Sequence, residues 1–266
     1  FNEKIKLKCF EKNNRLCLGL DVDNNLLENN SLDYMNSYIE DIINATIDLC
    51  PIYKVNFSFY ERYGSKGYKI LEKIPEYINN RAISIADAKR GDIGNTSKMY
   101  AKAFLKDLDF DSITVSPFMG SDSVEPFLSF EDKYVFLLAL TSNKGSEDFQ
   151  ELKIDNSTKL FEKVIKTSRE WRNSDKIMYV VGAKNTEEIR KIRTIAPNSF
   201  LLVPGIGAQG GNLGEICKHG LDKNLKLIVN SSRSIIYASN NSDFAQKAQN
   251  EAMKIQMEME KYLNNI

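Results

Sequence analysis

The sequence predicts an α/β fold: a (β/α)8 TIM barrel with an extra N-terminal helix and a C-terminal helix. Three observations predict it. Eight short apolar runs recur along 266 residues, a length common for a single barrel. Segments of helical periodicity separate the runs, so strand and helix alternate throughout. Polar residues able to do chemistry follow one run after another, which is where barrels carry their function. An open doubly wound sheet is the alternative architecture. The count of eight units and the spread of polar residues over many strand ends favour the barrel. The whole chain, 1–266, reads as one such domain.

The strands are expected at Leu16–Leu20, Ile52–Phe57, Ala82–Ala86, Ser112–Val115, Tyr134–Leu140, Ile177–Val181, Phe200–Val203 and Leu225–Val229. They are almost wholly apolar, as strands covered on both faces must be. Helices are expected near 36–49, 66–79, 94–107, 121–130, 157–171, 185–195, 211–219 and 232–238. A helix over 2–13 is placed to cover the bottom of the barrel. The last helix starts after Ser242, a suitable N-cap. Phe244, Ala248, Ala252, Ile255, Met259 and Leu263 recur every three or four residues. They form one apolar face for packing against the barrel wall.

Composition narrows the function. Lys plus Arg equals Asp plus Glu, 36 each, so no overall field favours nucleic acid or an anionic membrane. No basic stretch interleaved with aromatics points to nucleic acid. No apolar run approaches the 18 residues or so that a membrane span needs. Four scattered cysteines without a C-x-x-C pair and no visible signal peptide suggest a reduced, cytoplasmic protein. One histidine, His219, and no Cys/His cluster or calcium-loop pattern leave no expected metal site. No G-x-S-x-G elbow is present. Trp171 reads as packing.

The strand ends carry the chemistry. The third run leads into Asp87-Ala88-Lys89-Arg90-Gly91-Asp92. A period of two would send Asp87 and Lys89 the same way, with Asp92 just past the turn. Such crowded charges are costly unless paired or used. Lys54 and Asn56 interrupt the second run on one face, and a lysine there needs an acidic partner, for which Asp87 is suited. The first run ends in Asp21, where a turn or helix cap is the plainer reading. The fifth ends in Thr141-Ser142-Asn143. The seventh ends in Pro204-Gly205-Ile206-Gly207-Ala208-Gln209-Gly210-Gly211, four glycines in seven residues from 205 to 211. Such a loop can wrap a phosphate with its N–H groups, and the loops after strands seven and eight are the recurrent phosphate site of barrels. Asn230-Ser231-Ser232-Arg233 follows the eighth run, and Arg233 can grip phosphate with two hydrogen bonds. A purely structural ion network is the alternative for the lysines and aspartates, and a surface ion pair for Arg233.

Taken in order, these segments resemble the orotidine 5′-phosphate decarboxylase family. Asp87-Ala88-Lys89-Arg90-Gly91-Asp92-Ile93 matches its D-x-K-x-x-D-I signature. Gly19-Leu20-Asp21, Tyr53-Lys54-Val55-Asn56, the glycine loop and Asn230-Ser231-Ser232-Arg233 match further motifs, from about 16 to 238. The resemblance implies a homodimer with sites at the interface. The implied reaction takes orotidine 5′-phosphate to uridine 5′-phosphate (UMP) and CO2, the last step of de novo pyrimidine synthesis, with no metal or organic cofactor. It implies a charge array of Lys54, Asp87, Lys89 and Asp92, in which Lys89 stabilises and protonates the C6 carbanion. Asp92, Ile93 and Thr96 would come from the other subunit. Asp21 and Asn56 would bind ribose hydroxyls and Ser142 the pyrimidine amide edge. Pro204, Gln209, Asn230 and Arg233 complete the substrate-binding set, with Gln209 and Arg233 on the phosphate. The loop 145–155 has no assigned role. Two alternatives stand beside this: a Mg²⁺-dependent sugar-phosphate decarboxylase or aldolase of the same superfamily, and a non-catalytic phosphate-binding barrel.

Overall fold

A computed structural model of the chain shows eight parallel strands closed into a barrel in sequence order. Residues 2–182, 186–205, 213–221 and 226–264 are described. The elements are α1 Asn2–Glu11, β1 Leu16–Gly19, α2 Leu32–Thr46, β2 Ile52–Asn56, α3 Ser58–Glu61, α4 Ser65–Ile78, β3 Ile83–Arg90, α5 Gly94–Lys102, β4 Ser112–Val115, α6 Ser121–Leu128 and β5 Tyr134–Leu140. They continue as α7 Leu160–Ser168, β6 Ile177–Val181, α8 Thr186–Ile195, β7 Leu201–Pro204, α9 Leu213–Gly220, β8 Leu227–Ser231, α10 Arg233–Ile236 and α11 Phe244–Leu263. Among the described residues no helix is long and apolar enough to cross a membrane.

Alternation along the strands builds two cores. Cys17, Ile52, Ile83, Ile85, Tyr134, Phe136, Met178, Phe200, Leu202 and Ile228 form an inner cluster. Their neighbours in sequence, such as Leu16, Leu18, Tyr53, Val55, Val135 and Leu137, pack outward into a second cluster shared with the helices. A fully buried aliphatic side chain stabilises by about 1.5–3 kcal/mol relative to exposure. Helix α1 sends Ile5 and Cys9, both fully buried, into the inner cluster. It therefore plugs the N-terminal end, as its sequence predicted.

The inward series turns polar toward the other end. Lys54 and Asn56 follow Ile52, Asp87 follows Ile83 and Ile85, Thr114 follows Ser112, and Asn230 follows Ile228, each two residues further on. The open end of the barrel is thus a charged bowl on an apolar floor.

Several boundaries differ from the sequence reading. Helix α2 starts at Leu32 because Ser31 Oγ accepts from Tyr34 N at 3.2 Å, earlier than the apolar pattern suggested. The helix expected over 94–107 ends at Lys102 and continues as a π-turn, Ala103–Asp107. Helix α10 is only one turn. Helix α11 has Asp243 rather than Ser242 at its cap position, with no side-chain cap bond. Its Ala248, Ala252, Met259 and Leu263 are buried, and Phe244 and Ile255 pack against the core, as the spacing required. The largest difference is β3, which extends to Arg90 and carries the key charges within the strand rather than after it.

Candidate active site

The strand ends enclose a cavity of about 410 Å³ at the C-terminal face. Asp21, Lys54, Asn56, Asp87, Lys89, Ser142, Pro204, Asn230 and Arg233 all line it. Residues from six strand ends thus converge, although sequence separates the first and last by more than two hundred positions.

Asp87 is the hub. Lys54 Nζ donates to its Oδ2 at 2.8 Å, and Lys89 Nζ donates to its Oδ1 at 2.6 Å. Burial alone would raise the Asp87 carboxyl, but Lys54 and then Lys89 more than offset it and hold the pKa down to about 2. Burial likewise disfavours the Lys54 cation, yet Asp21 and Asp87 outweigh it and push its pKa above the ordinary lysine value. Both groups are therefore charged at neutral pH. The Lys54 side chain is 7% exposed and that of Lys89 49%. Lys54 is a fixed counter-ion inside the wall, whereas Lys89 reaches into the cavity where a ligand can meet it.

A period of two does not explain this arrangement. Between Ala86 and Arg90 the pairing of β3 with β4 shifts: Ala86 lies opposite Ile113 and Arg90 opposite Val115. Asp87, Ala88 and Lys89 therefore bulge out over the single residue Thr114. Lys89 takes a left-handed conformation with φ of +48°, which costs a non-glycine residue about 1–3 kcal/mol. Bulges that re-aim a side chain are common beside active sites. Arg90 braces the bulge from outside. Its Nη1 donates to Ala88 O at 2.8 Å, it pairs with Glu61, and it lies over the rings of Tyr100 and Phe104.

Asp21 sits opposite. Its Oδ1 is 3.6 Å from Lys54 Nζ, too far for a hydrogen bond, and is buried with no donor. Asn230 Oδ1 is buried in the same state. Unsatisfied acceptors on a cavity wall are costly and suit a ligand bearing hydroxyl or N–H donors. The Asp21 segment is anchored on both sides: Tyr60 OH donates to Leu20 O at 2.7 Å, and Asp23 N donates to Tyr237 OH at 2.7 Å. Asn56 Oδ1 accepts from Ser58 Oγ at 2.9 Å, which leaves the amide nitrogen to face a ligand.

The fifth strand end is better organised than its sequence suggested. Gln150, from the loop 145–155, accepts from Thr141 N at 2.7 Å and Thr141 Oγ1 at 3.1 Å. Across from it, Gly182 is required at the end of β6. A Cβ there would lie 2.6 Å from Ser142 N. Ser142 is thereby fixed on the cavity wall.

Arg233 is exposed at the rim beside Pro204 and Gly205, a geometry open to an anion. Gln209 lies outside the described residues. Asp92, Ile93 and Thr96 are not part of the cavity lining. Ile93 is 56% exposed, and Asp92 Oδ1 accepts from Ile93 N at 2.7 Å. Among the described residues no group of three or more His, Cys, Asp or Glu side chains is arranged to hold a metal. Sequence reasoning named the segments of Thr141, Asn143 and Ser232 without giving those residues a role and missed Thr114; all four line the cavity. Thr114 was visible in principle, since Ser112 and Thr114 alternate with apolar neighbours in a strand otherwise suited to full burial.

Comparison with known proteins agrees with this geometry. The family model described as Orotidine 5′-phosphate decarboxylase / HUMPS family matches residues 14–248. An orotidine 5′-phosphate decarboxylase of Flavobacterium johnsoniae is 51% identical over 99% of this chain and 98% of its own. The structure of Leishmania donovani OMP decarboxylase superposes with a TM-score of 0.82 at 30% identity, covering 96% of this chain and 98% of the other. Leishmania donovani UMP synthase matches with a TM-score of 0.86 at 32% identity over 98% of this chain. The chain spans 56% of that longer protein's length. The D-x-K-x-x-D segment that bulges into the cavity, the closed barrel and a half-identical relative matched end to end leave one conclusion: this chain belongs to the orotidine 5′-phosphate decarboxylase / HUMPS family.

Proposed function

We propose that this protein decarboxylates orotidine 5′-phosphate to UMP, the last step of de novo pyrimidine synthesis. The observation that carries the reading is the Lys54–Asp87–Lys89 array in the cavity, with Lys89 the exposed member. In the reaction the bond from C6 to the carboxylate carbon breaks, CO2 leaves, and the electron pair stays on C6. No resonance sink lies nearby, so a fixed cation must stabilise the developing charge. Lys89 is that cation, and its ammonium then donates a proton to C6. Solvent reprotonates the lysine. Asp87 and Lys54 hold Lys89 before substrate arrives, so no reorganisation is needed at the reacting moment.

The rest of the cavity suits the rest of a nucleotide. Asp21 and Asn56 receive the ribose hydroxyls, Ser142 meets the amide edge of the pyrimidine, and Pro204, Asn230 and Arg233 complete the wall toward the phosphate. Binding energy from that remote phosphate serves the chemistry at C6.

The active unit is a homodimer, with Asp92, Ile93 and Thr96 facing the partner's cavity and Asp92 completing its array. Their position outside the lining of their own cavity supports this. So do the exposed apolar side chains Ile93, Met99, Phe118 and Met119 in the same region, since exposed apolar patches mark interaction surfaces. The whole chain, 1–266, acts as one barrel domain in the cytoplasm, in keeping with four free, buried cysteines.

The test is the ultraviolet absorbance of orotidine 5′-phosphate mixed with purified protein, with and without a chelator. Loss of the substrate spectrum in both samples is expected. Turnover that needs added Mg²⁺ would point to the sugar-phosphate branch of the superfamily instead, and no turnover would remove the assignment.

A further inference from the structure

We infer that Thr114 is a positioning residue for the decarboxylation: its hydroxyl ties the left-handed backbone of Lys89 to the carboxylate of Asp87. The inference rests on the function proposed above. Three residues of β3, Asp87 to Lys89, face one residue of β4, Thr114. The Lys89 N–H has no carbonyl opposite it to complete the ladder. It donates instead to Thr114 Oγ1 at 2.9 Å. The same hydroxyl donates its own proton to Asp87 Oδ1 at 3.0 Å, the oxygen that also receives Lys89 Nζ.

One side chain thus closes a ring through the backbone and side chain of Lys89. Thr114 is 1% exposed, so water does not replace it readily. Its direction of donation is fixed, because a carboxylate only accepts and a backbone N–H only donates. Without the hydroxyl, an unpaired N–H and a strained φ remain at the residue that must place its ammonium over C6. A strained conformation persists only where its surroundings over-determine it. Positioning errors near 1 Å at a reacting group cost up to about a hundredfold in rate.

The experiment compares Thr114→Val, Thr114→Ala and Thr114→Ser with the wild type. The readouts are kcat and KM for orotidine 5′-phosphate, Kd for UMP and the melting temperature. Valine keeps the shape and removes the hydroxyl, alanine removes it without adding bulk, and serine keeps it. We expect Val and Ala to lower kcat by about ten- to a hundredfold with Kd for UMP changed less than about threefold, and Ser to restore kcat to within about threefold of wild type. A merely structural threonine would move the melting temperature without this split. If either hydroxyl-free variant folds and keeps wild-type kcat, or if Ser falls as far as they do, the inference is wrong. A wild type inactive on orotidine 5′-phosphate would instead overturn the proposed function, and this inference with it.

Discussion

Lys54 and Lys89 hold opposite oxygens of one carboxylate, that of Asp87, at 2.8 and 2.6 Å. The three groups come from two neighbouring strands, yet Lys89 reaches its place only through the bulge in β3. The cavity therefore presents the half-exposed ammonium of Lys89, held in place by the buried Lys54–Asp87 ion pair.

The ion pair makes stability depend on pH. The folded Asp87 carboxyl is held down to about 2, below the roughly 3.9 of an unfolded aspartate. Its contribution is therefore complete above about pH 5 and is lost as the pH falls toward 2. The amount is about 2 kcal/mol. Asp87→Asn leaves Lys54 buried beside a neutral amide and should destabilise at pH 7 by about 3 kcal/mol. Urea unfolding from pH 7 to pH 2 should show the gap between variant and wild type closing on the acid side. A gap independent of pH would mean that Asp87 is not the charged hub.

Arg233→Ala should act on binding. A bidentate guanidinium–phosphate contact contributes about 1.5–3 kcal/mol, so KM for orotidine 5′-phosphate should rise about ten- to 150-fold, with kcat falling less. Steady-state kinetics check this. Unchanged KM would place the phosphate elsewhere on the rim.

Much of this was legible beforehand, for physical reasons that differ from residue to residue. The barrel followed from strands apolar on both faces, and Lys54 stood out because a lone lysine in such a strand needs an acid. The signature around Asp87 and Lys89 pointed to their convergence. The left-handed turn at Lys89 was hidden, because it follows from a mismatch of register between β3 and β4 that neither strand encodes alone. The alternation of Ser112 and Thr114 with apolar neighbours marked the position of Thr114, but its bonds to Lys89 and Asp87 were hidden for the same reason. Gln150 holds Thr141 beside Ser142, and Gly182 lies against Ser142 from the end of β6, two placements that apolar periodicity does not report. The start of α2 needed the cap at Ser31, which apolar spacing does not report.

Asp92 should work across the subunit boundary. Mixing a Lys89→Ala protein with an Asp92→Ala protein, each inactive, should restore activity in mixed dimers. One site in each mixed dimer is then intact, roughly a quarter of all sites at equal mixing and random exchange. Activity titrated against mixing ratio, after subunit exchange, checks this. No recovery despite verified mixed dimers would assign Asp92 to its own subunit's site or to none.

The most direct test of the array is the decarboxylation rate of Lys89→Ala measured beside its affinity for UMP. The role of Lys89 at C6 predicts turnover reduced by at least about a thousandfold, while UMP still binds and the protein melts near the wild-type temperature. A folded Lys89→Ala protein that still converts orotidine 5′-phosphate at a rate within tenfold of wild type would contradict it.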